Sequence, residues 1–237
     1  MLADDIALLQ PAGRLSENLD LPAQWRDGLI GFVADALPAW RDDPDRPPAT
    51  TEIVLTSQLC GFLNSATRMS RGWDFLQFRV EEPDEVVGGR AIDMVAAPSG
   101  AHIWIEGRRY TQYQPLFPIE CKRLPTPTGA NRDQREYLQS RFGSRGGVQR
   151  FKAGHHGANH ERAALIAYIQ ADDIEQWRDR LDAWIEDLSV ASSAWTRDEA
   201  LRLDRHDTSA RLGLLSSRHP RLGGLSVLAL DHLWIEM

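Results

Sequence analysis

Lysine is almost missing from this chain. Only Lys122 and Lys152 are present, against twenty-five arginines, so positive charge rests almost everywhere on a planar, permanently ionised guanidinium. A lysine in such a chain suggests a position that needs a compact ammonium with a movable pKa. Cysteine is equally scarce. Cys60 and Cys121 make neither a disulfide framework nor a paired zinc motif, and both are expected as buried, reduced thiols. No apolar run reaches the length of a membrane span, and residues 1–20 lack a basic start followed by an apolar core. A cytoplasmic protein without a membrane partner is expected. Internal repeats and low-complexity tracts are also absent.

What is present describes a globular chain. Its 237 residues, 42% of them hydrophobic, suit one sizeable α/β domain. The net charge of −7 argues against indiscriminate binding to nucleic acid, but its distribution is uneven. Lys122 to Arg162 holds nine basic residues against three acids, and Asp172 to Asp187 holds seven acids against two arginines. A basic middle in an acidic protein can form a local phosphate-binding surface.

Residues 1–48 are expected as an N-terminal helical arm packed on a continuous domain over 49–237. Asp20 and Pro22 open a helix in which Trp25, Leu29, Phe32, Val33, Leu37 and Trp40 recur at helical spacing. Thr50 and Thr51 can cap a second helix running to about Asn64. Glu52 lies in its first turn, either as an acid favoured by the helix dipole or as an additional site residue. Strands are expected over Trp73–Val80, Arg90–Ala97, Ile103–Glu106, Pro115–Lys122, Ala163–Gln170, Ala210–Ser216 and Leu225–Ile235. An acidic turn is expected over Glu81–Gly89. Asp172–Leu188 reads as an amphipathic helix with Trp177 and Trp184 on its inner stripe. Gly146-Gly147 reads as a loop feeding a short helix whose backbone N–H groups could meet a phosphate. His155, His156 and His160, among glycines and alanines, read as an exposed loop.

The chemistry centres on Ile-Glu-Cys-Lys-Arg, residues 119–123, and on Ile-Asp-Met, residues 92–94. Glu120 and Lys122, two apart on a strand, share a face, and ionised groups in apolar strands are rarely buried unless paired or metal-bound. One reading makes them ion pairs, Glu120 with Lys122 or Arg123 and Asp93 with Arg90. The other makes a site. Asp93 and Glu120 are hard oxygen ligands for Mg²⁺, the Cys121 carbonyl offers a third oxygen, and Lys122 can orient water or offset developing negative charge.

An Asp in an apolar strand followed by an apolar-x-Glu-x-Lys strand resembles the PD-(D/E)XK nuclease superfamily. Asp93 matches its first acid, Glu120 its second and Lys122 its lysine, over a span from Thr50 to Gln170. Ile92 stands where the motif has proline. The resemblance implies a restriction-endonuclease-like fold, a mixed central β-sheet flanked by α-helices. It further implies a Mg²⁺-dependent endonuclease acting on DNA, with Mn²⁺ able to substitute. Glu52 looks like the acid that a preceding helix supplies in many members, and a downstream glutamine or tyrosine of some branches would correspond to Gln149 or Tyr137. Arg145, Gln149, Arg150 and Lys152 are the expected nucleic-acid contacts. A place in prokaryotic defence follows by analogy of fold alone. The alternative is a catalytically silent module that binds nucleic acid or a partner protein, and a homodimer is a further expectation.

Overall fold

The computed structural model describes residues 18–237, except 22–23, 85, 87–88, 101 and 144. Residues 1–17 of the expected arm lie outside the described residues, as do Pro22, Gly88 and Ser144. Within the arm, residues Asn18–Asp20 are strand β1 rather than helix. Helix α1 (Trp25–Arg41) and helix α2 (Glu52–Met69) follow. Next come strands β2 (Leu76–Pro83), β3 (Ala91–Pro98), β4 (His102–Ile105), β5 (Arg108–Tyr110) and β6 (Phe117–Leu124). The short helix α3 (Gly147–Lys152), strand β7 (Arg162–Ile169) and helix α4 (Ile174–Ala191) lead to a 3-10 turn (Arg197–Glu199). Strands β8 (Arg202–Asp207), β9 (Leu212–His219) and β10 (Leu228–Glu236) close the chain. Among the described residues no helix is long and apolar enough to cross a membrane.

Seven strands form one mixed sheet in the order β2-β3-β6-β7-β10-β9-β8. The β2/β3 and β3/β6 pairs are antiparallel, and β7 is parallel to both β6 and β10. Strands β9 and β8 complete it antiparallel. A small sheet of β1, β4 and β5 stands apart. The β4–β5 hairpin turns on Glu106 (φ 51°) and Gly107 (φ 78°), the left-handed pair that matches the twist of flanking strands.

Period-two alternation in β7 sorts its side chains onto two faces. Ala164, Ile166 and Tyr168 pack under α1 and α2 with Leu29, Leu37, Leu55 and Leu59. Ala163, Leu165, Ala167 and Ile169 pack under α3 and α4 with Val148, Trp177, Leu181 and Ile185. The result is three layers, with helices on both faces of the sheet. Helix α2 runs past the expected Asn64 to Met69, because nothing in Ser-Ala-Thr-Arg-Met breaks it. Thr51 holds the cap position, but its side chain makes no capping bond. Helix α4 is capped as its sequence suggests, with the Asp173 carboxylate accepting from Gln176 N–H at 2.8 Å. Trp177 is core, whereas Trp184 is half-buried at the edge of the stripe.

Beneath α4 a buried chain of polar groups crosses the sheet. Trp234 Nε1 donates to the Tyr137 hydroxyl at 2.7 Å, and that hydroxyl meets His232 Nδ1 at 2.7 Å. Ser217 Oγ lies 2.7 Å from both His232 Nε2 and His219 Nε2, and His219 Nδ1 lies 2.6 Å from Glu199 Oε2. Lys152 also bonds Glu199. Burial lowers the pKa of His219, and burial with the nearby His219 brings His232 down to about 3, so both rings are neutral. Glu199 accepts only, so every hydrogen in the chain points toward it: Trp234 to Tyr137, His232, Ser217, His219 and Glu199 in turn. Tyr137→Phe should leave the Trp234 N–H without its acceptor and His232 Nδ1 without its donor. The expected loss is about 2 kcal/mol, read as a lower urea midpoint with an unchanged m-value.

Candidate active site

The site forms where β3 and β6 part. Their ladder pairs Ala96 with Phe117, Val95 with Pro118 and Met94 with Ile119. Continuing that register sets Asp93 opposite Glu120. There the Asp93 side chain enters the seam, and its Oδ2 accepts the Cys121 N–H at 2.8 Å. Strand β6 stays paired to β7 through Glu120 and Lys122, which hold a common face as their two-residue spacing requires. Helix α2 reaches the same seam from the other layer by its first residue. Glu52 Oε2 accepts the Arg123 N–H at 3.2 Å.

Lys122 sits between these acids. Its Nζ lies 2.9 Å from Glu120, 3.3 Å from Glu52 and 3.4 Å from Asp93, and it donates to its neighbour's carbonyl, Cys121 O, at 2.7 Å. Burial alone would lower the Lys122 pKa, but Asp93, Glu120 and Glu52 outweigh it and raise it well above the ordinary value. The three carboxylates thus favour the charged ammonium. Asp93 responds in the opposite sense. Burial and the adjacent Glu120 and Glu52 charges push its carboxyl up to about 6, against the pull of Lys122 and the Cys121 amide.

Glu120 is enclosed. Oε1 accepts from Arg150 at 2.6 Å, Oε2 lies 3.0 Å from His156 Nδ1, and no part of the side chain is exposed. Complete burial would raise its pKa, but Lys122, His156 and Arg150 hold it well below the usual carboxylate range. The expectation of an exposed histidine loop is corrected here: His156 is buried against Glu120. The ion pairs of Asp93 and Glu120 converge on Lys122, and Arg123 instead bonds the Thr50 carbonyl.

A cleft of about 310 Å³ opens over this group, lined by Glu52, Glu81, Asp93, Lys122, Arg132 and Arg150 among others. Arg145, exposed, lines it too. Glu81 is a site residue that the sequence reading missed. It falls inside β2 rather than in the expected acidic turn, its register position is opposite Asp93, and its backbone is left-handed at φ 51°. Pattern reading has no signal for a single left-handed glutamate in an acidic stretch.

Two expected nucleic-acid contacts lie elsewhere. Lys152 is buried, bonded to Glu199 and over the Trp195 ring at 4.4 Å. Gln149 Oε1 accepts from Ser140 N–H at 3.1 Å and Gly146 N–H at 3.2 Å, which holds the start of α3. The expected phosphate-binding start of α3 is corrected as well. The N–H groups of Gly147, Val148 and Gln149 donate to the carbonyls of Glu136, Tyr137 and Leu138. Gly146 is required by that close approach, since a Cβ there would lie 2.4 Å from Gln139 Cα. Among the described residues, no three His, Cys, Asp or Glu side chains are already gathered as a metal-holding group. Comparison of the chain with protein-family models, curated proteins and solved structures finds no match in any of the three.

The raised Asp93 pKa has a measurable sign. A carboxyl displaced from 3.8 to about 6 by folding favours the fold below about 3.8 and loses that contribution as pH rises through about 6. The displacement corresponds to about 3 kcal/mol, and to about 1–2 after solvent screening of a quarter-exposed side chain. Asp93→Asn should therefore stabilise the protein by that amount at pH 7.5 and not near pH 4, in urea unfolding without divalent cations. An equal gain at both pH values would mean that the Asp93 charge is not the source.

Proposed function

We propose that this chain is a Mg²⁺-dependent nuclease of restriction-endonuclease-like fold that hydrolyses DNA phosphodiester bonds internally. One observation carries the reading. The Lys122 ammonium touches carboxylates from α2, β3 and β6 beneath a cleft that Arg132, Arg145 and Arg150 also line. The order of elements from Thr50 to Gln170 supports it. An acid-bearing helix precedes the Asp strand and the Glu-x-Lys strand, and a basic helix and a parallel strand follow.

The donor set fits a hard divalent cation at its open end. Asp93 and Glu52 present carboxylates to the cleft, with Glu81 on the same wall, and oxygen is the ligand type that Mg²⁺ selects. Glu120 does not fit as an open ligand, because its bonded oxygens are fully buried, whereas Glu52, also bonded through both oxygens, is 31% exposed; the Cys121 carbonyl is taken by Lys122. Asp93 and Glu52 would hold the ion, which when bound supplies Lewis acidity and an activated water. The Lys122 ammonium offsets negative charge building on the phosphoryl oxygens. Arg132, Arg145 and Arg150 hold the phosphate against the cleft. Glu120 positions Lys122 and Arg150 at once, and His156 keeps Glu120 in place.

The closure of Glu120 also favours a second reading, a module of the same fold that binds nucleic acid without cutting it. Incubation with supercoiled plasmid and Mg²⁺ or Mn²⁺ separates them. Nicked and linear products are expected from the native chain, with Lys122→Ala slower by about 10²–10³-fold and Asp93→Ala also deficient in metal binding by calorimetry. No cleavage with either metal, together with no heat of binding, would leave only the second reading.

A further inference from the structure

A second cleft, of about 450 Å³, adjoins the first, and Arg132 lines both. It is lined by the loop from Thr126 to Gly129, which starts two residues beyond the end of β6, and by Arg135, Arg141 and Trp184. Three arginines face Asp133, Glu136 and Asp187, so the formal charge is balanced. The orientations are not. The Arg132, Arg135 and Arg141 side chains are 49%, 36% and 74% exposed, against 16% for Asp133 and 4% for Glu136. Asp133 is turned inward onto the N–H groups of Arg135 and Arg141, at 3.0 Å each. Glu136 is likewise turned onto the Asp133 N–H at 3.2 Å and Arg132 at 2.8 Å. Only Asp187, bonded to Arg135 at 2.8 Å, shares their exposure. A guanidinium has five N–H donors in a fixed fork, and the surface that results is rich in outward donors.

Trp184 supplies the other half of the argument. It lies off the buried stripe of α4, half-buried, with its ring edge-to-face against Trp177 at 6.3 Å between centroids and the Arg135 guanidinium 5.7 Å from its centroid. Outward guanidiniums beside an accessible aromatic ring form the combination that takes a phosphate and a stacked base from a single strand. A duplex would keep its base faces within its own stack.

Resting on the nuclease reading, we infer that this cleft holds a nucleotide flanking the cleaved phosphate in a single-stranded stretch of the substrate. Its phosphate lies against Arg132 and Arg141, and its base lies against Trp184. The strand passes from the catalytic cleft to this one along Arg132.

Binding of a fluorescent twelve-nucleotide single-stranded DNA to the non-cleaving Lys122→Ala protein tests the assignment. Adding Trp184→Ala should weaken binding by about 5- to 100-fold, with Trp184→Phe restoring most of it. Adding Arg141→Ala should flatten the log–log salt dependence by about 0.7. Neither should alter affinity for a blunt duplex of the same sequence. With Lys122 present, both should raise KM and leave kcat unchanged. Unchanged single-strand affinity in Trp184→Ala with an unchanged salt slope in Arg141→Ala would overturn the assignment. So would equal losses for single strand and duplex. A chain that cuts no DNA but shows these binding effects would keep the cleft and lose the nuclease. A chain that cuts while both variants bind normally would do the reverse.

Discussion

Three carboxylates from three elements share one ammonium, and the geometry of the seam depends on that sharing. Glu52, Asp93 and Glu120 would repel one another at this separation, and a buried carboxylate left alone is costly. Lys122 ties the end of α2 to the gap between β3 and β6 and lets the acids stay close. A guanidinium is wider, planar and committed to a fork geometry, so it would not sit among three acids that approach from different directions. The lysine stands where arginine serves elsewhere in the chain because of this packing requirement.

The topology explains why the seam is there at all. Strand β6 is antiparallel to β3 on one side and parallel to β7 on the other, so it is, with β10, one of two strands at which the sheet changes pattern. Its parallel ladder to β7 continues through Leu124, while its antiparallel ladder to β3 ends at Met94 and Ile119. The wedge that remains is reached by helices of both layers, α2 with Glu52 and α3 with Arg150. Asp93 fills the place of the missing ladder bond. A group that is structural on one oxygen and faces a cleft beside other carboxylates has good reason to show a displaced pKa.

Much of this was legible before the structure, for identifiable reasons. Helical spacing marks α1 and α4, continuous apolar composition marks β7, and two-residue spacing puts Glu120 and Lys122 on one face. What was missed lacked such signals. Strands β5 and β8 are short and polar edge strands, with no buried face to impose a period. The His155–His160 loop reads as surface because its glycines and alanines hide the burial of His156 against Glu120 and Phe151. Lys152 is the instructive error. Lysine scarcity pointed correctly to special positions, and both lysines are buried against fully buried glutamates, Lys122 on Glu120 and Lys152 on Glu199. The scarcity signals a buried ammonium, and Lys122 is the one that lines the catalytic cleft.

The second buried lysine ends the chain of polar groups beneath α4, and the polarity of that chain bears on inheritance. Each middle member is a donor on one side and an acceptor on the other, and all the hydrogens run toward Glu199. Replacing Ser217 alone would strand one nitrogen on each histidine, and reversing one ring would set donor against donor. Tolerated changes must therefore come in matched sets that remove a donor together with its acceptor. Tyr137, Glu199, Ser217, His219, His232 and Trp234 would pass between descendants as a single character, retained or exchanged together, although they are scattered over four separate stretches of the chain.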